Sequence, residues 1–135
     1  MKCLLILSWL ISHGYTQPES IGIVSNLYIE SKCNSQAQNP SQIGIAQWQG
    51  KRKKNLLSLA KETQIPISNL FLQLYFLDLE WKEIKQKSPS TYARRTSHVS
   101  SYDLAIIFCK KFERPKLSCK SRGKVANLRP WEKDK

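Results

Sequence analysis

Apolar residues recur along this chain at helical spacing, and alternate only once. Ile21, Val24, Leu27 and Tyr28 stand at i, i+3, i+6 and i+7, the stripe of a helix facing a core. Thr16-Gln17-Pro18-Glu19 before them is a capping-box pattern with Pro in the first turn, where it is tolerated. The stripe fades near Cys33-Asn34, and Asn can take the left-handed cap. Leu56, Leu59, Ala60 and Thr63 predict a helix over 51–63. Leu70, Leu74, Leu77, Trp81 and Ile84 give the strongest helix, within 66–87, and Phe71, Leu72, Phe76 and Leu79 widen its apolar face. Ser88-Pro89-Ser90 breaks it, and a short helix over 91–96 is expected to follow. Ser100 or Ser101 then caps a helix carrying Leu104, Ala105, Phe108, Cys109 and Phe112, which Pro115 stops. Residues 35–50 are polar and punctuated by Asn39-Pro40-Ser41, Gly44 and Gly50. Ile43, Ile45 and Gln47 alternate there with smaller residues, the pattern of a short strand or hairpin. The expected fold class is therefore mainly α, with a minor β excursion.

Two segments carry no such stripe. Residues 1–14 read in two ways. Lys2, an apolar run from Cys3 to Ile11 and Ser12-His13-Gly14 form a miniature secretion signal, shorter than the usual range of about 15–30 residues. The same residues form a first helix capped by Gly14, the reading favoured by their length. Residues 116–135 hold seven cations and two anions with little apolar content, which predicts a basic tail anchored by Trp131. With 135 residues the chain has the size of one domain, here divided into 1–115 and the tail 116–135.

Charge narrows the partners. Twenty-two Lys and Arg against ten Asp and Glu leave +12, which favours an anionic partner: nucleic acid, a membrane surface or the bacterial wall. Lys51, Arg52, Lys53 and Lys54 sit in the first turn of their helix, where cations oppose its dipole. A solvated face explains that run, and an anionic partner would offset its cost. No helix-turn-helix signal or aromatic platform supports nucleic acid. No apolar run approaches the roughly 18 residues of a membrane span. Cys3, Cys33, Cys109 and Cys119 lack the spacing of a zinc site, and no metal or other cofactor is expected. The cysteines allow three disulfide pairings, beside a reading as small buried apolar residues.

One constellation carries chemistry. Glu30 closes a helix, a polar loop follows, and Gly44-Ile45-Ala46-Gln47-Trp48 comes next. A glycosidase needs a carboxylic acid that keeps its proton near neutral pH, so a Glu must rise from about 4.3 toward about 6. Leu27, Ile29 and Trp48 are apolar neighbours of the right kind. An aromatic face such as Trp48 stacks on sugar rings, and an amide such as Gln47 pairs with acetamido or hydroxyl groups. The bland reading of Glu30 is a solvated surface residue, because the C-terminal end of a helix is the wrong pole for an anion.

The wording of these segments decides between the readings. Gly22-Ile23-Val24-Ser25-Asn26-Leu27-Tyr28-Ile29-Glu30-Ser31 resembles the G-I-x-G-N-L-x-x-E-S segment of phage tail lysozymes, a branch of the lysozyme-like superfamily. Asn39-Pro40, then Gly44-Ile45-Ala46-Gln47-Trp48, Gly50 and Arg52, is similar to that family's N-P…G-I-x-Q-W-x-G-x-R. Phe112-Glu113-Arg114-Pro115 is similar to its F/Y-E-R-P ending. The resemblance covers about residues 4–115, and makes 4–12 the family's first helix. It implies a lysozyme-like helical domain around a sugar cleft, and cleavage of the β-1,4 bond between N-acetylmuramic acid and N-acetylglucosamine. Glu30 matches the family's catalytic Glu. Gly44 and Gln47, with Trp48, match the wall of the saccharide groove, and Ser31 would position the helix end beside the acid. The implied partner is bacterial peptidoglycan, reached in the cell wall or periplasm by a secreted or virion tail-associated protein.

The chain departs from the pattern at Ser25, where the family has Gly, and at Lys32-Cys33-Asn34-Ser35, where it has G-x-N-P. The motif also supplies no second carboxylate. Asp78, Glu80, Asp103 and Glu113 can approach the acid in space, but each is expected to be a surface or structural group. A single acid fits hydrolysis by water and equally a lytic transglycosylase, in which the sugar's own 6-hydroxyl attacks. A binding-only wall module and a basic nucleic-acid-binding module are the alternatives outside enzymes.

Overall fold

The computed structural model describes residues 2–87, 99–115 and 118–133. They are mainly helical: α1 (Lys2–Ser12), α2 (Gln17–Ser31), α3 (Gly50–Thr63), α4 (Leu70–Lys87), α5 (Ser101–Phe108), a π-helical turn (Cys109–Glu113), α6 (Lys120–Leu128) and α7 (Pro130–Lys133). The helix expected over 91–96 lies outside the described residues. The β excursion consists of two isolated antiparallel bridges, Gln38 with Ile43 and Ile43 with Trp48.

Helix α2 is the axis. Every residue from Glu19 to Leu27 is buried, so it is wrapped on all sides rather than along one stripe. Thr16 caps it, its hydroxyl accepting from Glu19 N at 3.2 Å, and Pro18 occupies the first turn. Its far end differs from expectation. The left-handed residues are Lys32 (φ 56°) and Cys33 (φ 60°), not Asn34. Cys33 is pinned there by a disulfide to Cys3 of α1. That bond, with Cys3, Ile6 and Leu10 all buried, makes α1 a core helix.

Helices α5 and α6 pack on α2 and on each other. The α2–α5 crossing is close because Gly22 has no side chain. A Cβ there would lie 2.8 Å from the backbone N of Ala105. One turn further along α2, Asn26 Nδ2 donates to Ala105 O at 2.9 Å, which fixes the register of the two helices. Helix α4 starts at Leu70, the first residue of its apolar stripe and four residues into the expected window, because Asn69 caps it by accepting from Phe71 N and Leu72 N. Trp81 of α4 sets its ring edge-on against Phe108, which stacks on Phe112 at 4.5 Å. Its indole donates to the buried Glu19 at 2.9 Å.

The segment read as a basic tail anchored by Trp131 does hold Trp131 in the core. Over its described residues the segment is helix α6 and the short α7, and both are packed. Ala126 and Trp131 are fully buried, and the Trp131 indole donates to Ser25 Oγ at 3.3 Å. Ser25 is the residue that stands where the family motif has Gly, and its hydroxyl is what meets Trp131. The cations of this segment mislead a composition argument, because Lys120 and Lys124 are exposed while Arg122 is buried and Gly123 abuts Tyr102.

Gly22→Ala should test the crossing. The neighbours of the added methyl are backbone atoms, which cannot rotate away, so overpacking should cost about 1–3 kcal/mol in urea unfolding. Unchanged stability would show that α5 can retreat from α2 at no cost.

Candidate functional site

Glu30 sits in the last turn of α2 with its side chain 17% exposed. Two features of the fold meet it. The first is Arg122 of α6, whose Nη2 donates to Glu30 Oε2 at 2.5 Å. An anion at the C-terminal pole of a helix is disfavoured by the dipole, and this guanidinium supplies the countercharge. Arg122 is itself buried, and its Nε meets no protein acceptor.

The second is Glu113, which was expected at the surface or in a structural role. It comes from the π-helical turn that continues α5. Arg114 N donates to Cys109 O at 2.7 Å, a bond five residues long, and the wider turn carries one extra residue. Position 113 thereby comes within electrostatic reach of Glu30, and of Arg52 and Arg122. Burial pushes the Glu113 carboxyl well above the usual range. The charge of Glu30 pushes it further, against the opposing pull of Arg52 and Arg122. Its Oε1 is buried and meets no protein donor. The sequence signal was the F-E-R-P ending, which by itself does not say which way its Glu faces.

Arg52 braces this turn from α3. Its Nε and Nη2 grip Glu80 at 3.0 and 2.8 Å, and its Nη1 donates to Phe112 O at 2.8 Å. The guanidinium lies over the Phe112 ring, 4.4 Å from its centre. Glu80 also accepts the Trp48 indole N–H at 2.8 Å. The R of the second motif is therefore a strut from α3 to α4 and to the turn bearing Glu113.

The remaining predicted residues build the loop that flanks α2. Ser31 Oγ donates to Ile45 O at 2.7 Å, tying the helix end to the loop. Gly44 has φ 85°, and a Cβ there would lie 2.8 Å from Gln73 Oε1. Gln73 is fully buried and was missed in the sequence. It accepts from Ile45 N and donates to Ser35 O and Ile67 O, anchoring the loop to α4. Gln47 adopts φ 54° and donates to Gly44 O at 2.8 Å, so its amide closes the turn. Trp48 departs from expectation: it is 1% exposed, with its edge against Phe76, and offers no open face for a sugar to stack on. A pocket of about 390 Å³ opens beside the loop, lined by Ser35, Gln36, Gln38, Ile43, Ile67 and Ser68.

The cysteines resolve into two disulfides, Cys3–Cys33 and Cys109–Cys119, rather than a set of buried thiols. Oxidised Cys33 offers no thiol nucleophile beside Glu30. Cys109–Cys119 closes the segment that carries Glu113 and leads directly into the helix of Arg122. Among the described residues no group of three His, Cys, Asp or Glu side chains is placed to hold a metal.

The family model described as phage tail lysozyme matches residues 3–128. It runs past Pro115, where the readable motifs end, and takes in the helix bearing Arg122. No curated protein matches the chain.

Arg122→Met should leave Glu30 without its countercharge. Breaking such a pair from one side should cost about 3 kcal/mol, the low end of the range, because Glu30 keeps some contact with water. The same change made on top of Glu30→Gln should cost much less. Equal losses in both backgrounds, by urea unfolding, would show that Arg122 acts through packing alone.

Proposed function

The chain belongs to the phage tail lysozyme family, and we propose from that premise that it is a muramidase with Glu30 as its general acid. Membership makes it a lysozyme-like glycosidase that acts on the cell wall, of a virion-associated kind. No helix among the described residues is long and apolar enough to cross a membrane. The proposal adds the bond, the β-1,4 link from N-acetylmuramic acid to N-acetylglucosamine, and the residue that protonates its oxygen. The observation that carries it is the placement of Glu30. It stands at the motif position, partly open to solvent, between a guanidinium and a buried carboxyl.

Glu113 does not change the single-acid character of the site. In two-carboxyl glycosidases the second group stands about 5–9.5 Å from the acid, across the scissile bond. Glu113 is close enough to Glu30 to feel its charge, and we place it on the same side of the bond as Glu30. We propose that attack falls to water rather than to the sugar's 6-hydroxyl. Mass analysis of the released fragments separates the two, since the anhydro product lacks one water. Ser31, Gly44 and Gln47 are proposed to shape the wall of the saccharide groove, with Trp48 supporting it from the core. Two disulfides fit a protein that works in an oxidising place such as a virion or cell surface.

Glu30→Gln should lower wall cleavage about 10²–10⁴-fold per folded molecule, and it should also lower melting, because buried Arg122 loses its countercharge. Near-normal turnover by this variant would remove Glu30 from the role.

The positive charge is proposed to hold the enzyme on the anionic wall. Removal of residues 116–135 cannot test this, because it would take away Arg122 and Trp131 with the cations. Lys51, Lys54, Lys120 and Lys124 are exposed. Their joint replacement by Gln should weaken wall binding at low salt and flatten its salt dependence, with short-fragment turnover unchanged. Undiminished wall binding would reduce these lysines to aids to solubility.

A further inference from the structure

The motif residues that flank Glu30 are engaged with the loop itself. Ser31 Oγ holds Ile45 O, the Gln47 amide holds Gly44 O, and the Trp48 ring lies in the core. Other amides of the loop are occupied in the same way. Asn39 Nδ2 donates to Gln42 Oε1 at 3.0 Å, and Gln42 Nε2 donates to Gln49 Oε1 at 3.3 Å. These bonds shape the loop and leave it few groups with which to recognise a sugar. Recognition then falls to polar side chains that the fold has not used.

Such side chains collect at the pocket of about 390 Å³ lined by Ser35, Gln36, Gln38, Ile43, Ile67 and Ser68. Ser35 is 5% exposed, yet its hydroxyl has no hydrogen-bond partner among the described residues. A hydroxyl at that depth is costly unless something pairs with it, and this one lines the pocket. Gln36, Gln38 and Ser68 stand exposed around it, with side chains that no described residue engages. Ile43 and Ile67 are half-buried and supply the apolar surface. No lining residue is charged, in a chain of net charge +12.

One buried amide builds the walls. The lining comes from two segments, 35–43 and 67–68, and Gln73 Nε2 joins them by donating to Ser35 O and to Ile67 O, each at 2.8 Å. The antiparallel bridge between Gln38 and Ile43 sets those two side chains on one face. Gln73 Oε1 also accepts from Ile45 N, and Ile45 O is held by Ser31 beside Glu30. The pocket and the loop that flanks the acid therefore share one anchor.

We propose that this pocket is a glycan subsite that receives the acetamido group of an N-acetylhexosamine unit of the wall. This rests on wall glycan being the substrate, and not on which residue is the acid. An acetamido group is neutral and carries a methyl, a carbonyl and an N–H. The methyl lies against Ile43 and Ile67, the carbonyl oxygen accepts from the Ser35 hydroxyl, and the N–H donates to the side-chain oxygen of Gln36 or Gln38. The carboxylates and phosphates of the wall find no cation among the lining residues. The volume stands at the small end of the range of about 300–1,000 Å³ for ligand pockets, which suits one sugar unit and its substituent.

The test uses the full wild-type chain and the trisaccharide of N-acetylglucosamine, which lacks the muramic acid whose bond the enzyme is proposed to cut. Cellotriose, which has the same linkage with hydroxyls in place of the acetamido groups, is the comparison. In an NMR titration the acetylated trisaccharide should bind about tenfold more tightly than cellotriose, because a methyl burial and a hydrogen bond are both at stake. Its acetyl methyl should give nuclear Overhauser contacts to the methyls of Ile43 and Ile67. Ser35→Ala keeps the backbone oxygen that Gln73 uses, and should weaken the trisaccharide about threefold to tenfold with cellotriose unaffected. Equal binding of the two sugars, or acetyl contacts that avoid both isoleucines, would overturn the proposal, as would undiminished binding by Ser35→Ala. Contacts to Ile43 and Ile67 from a free stem peptide, and not from the trisaccharide, would make this a peptide site and overturn it too. If Ser35→Ala does not fold, the methyl contacts of the wild type decide. Wall cleavage with no trisaccharide in the pocket would sink the subsite alone. Methyl contacts in a chain that cleaves no wall would sink the hydrolase reading alone.

Discussion

Two guanidinium groups are buried or half-buried at the end of one helix, and the rest of the structure is arranged so that each finds a carboxylate. A buried charge left alone costs several kcal/mol, whereas a pair with good geometry comes close to neutral. Arg122 reaches Glu30 only if α6 lies across α2, and Arg52 reaches Glu80 only if α3 lies against α4. These pairs therefore set where the outer helices sit around the central one. Glu113, within reach of both pairs, has no countercharge of its own left to it, and this makes its protonation state a property of the fold rather than of the solvent.

The covalent framework follows the same geometry. Cys3–Cys33 ties α1 to the residues just past Glu30, where the chain holds two successive non-glycine residues in left-handed conformation. Each costs about 1–2 kcal/mol, and the disulfide removes the freedom to escape. Cys109–Cys119 spans ten residues, leaving α6 close to the turn from which it departs. Both bonds thus close on segments adjoining the charge cluster. Gly22 serves the same end without a crosslink, since its bare backbone lets α5 approach α2 closely.

The helices of this chain were readable because their apolar stripes report burial on one face, and Glu30 was readable because its motif surrounds it in sequence. What could not be read depends on contacts between distant segments. Glu113 sits in a helix whose periodicity looks α-helical to the end, and the π-helical turn that redirects it leaves no trace in the pattern of apolar residues. Arg122 stands in a stretch so rich in cations that composition predicts a tail, yet Ala126 and Trp131 are enough to bury one side of it. Trp48 has the residue type for sugar stacking, but a type does not reveal which way a ring faces. Its indole N–H found Glu80, and the ring went into the core. Gln73 gave no signal, because a polar residue among leucines looks like a helix surface until its three hydrogen bonds are seen.

The placement of the acid divides the chemistry between protein and substrate. In enzymes whose acids flank the bond, the protein itself supplies the group that stabilises or attacks the sugar carbon. With Glu30 as the proposed acid and no carboxyl identified across the bond from it, the protein's own chemistry would lie in delivering a proton, and the far side of the sugar would be served by what the cleft admits. Such a site gains little from a mobile loop and much from a rigid one, since orientation of the substrate is then its main remaining lever. The loop that flanks the end of α2 fits that demand. Gln73 holds it from α4, Ser31 holds it from α2, and Gln47 closes its turn, all through hydrogen bonds that fix the backbone rather than reach toward a ligand.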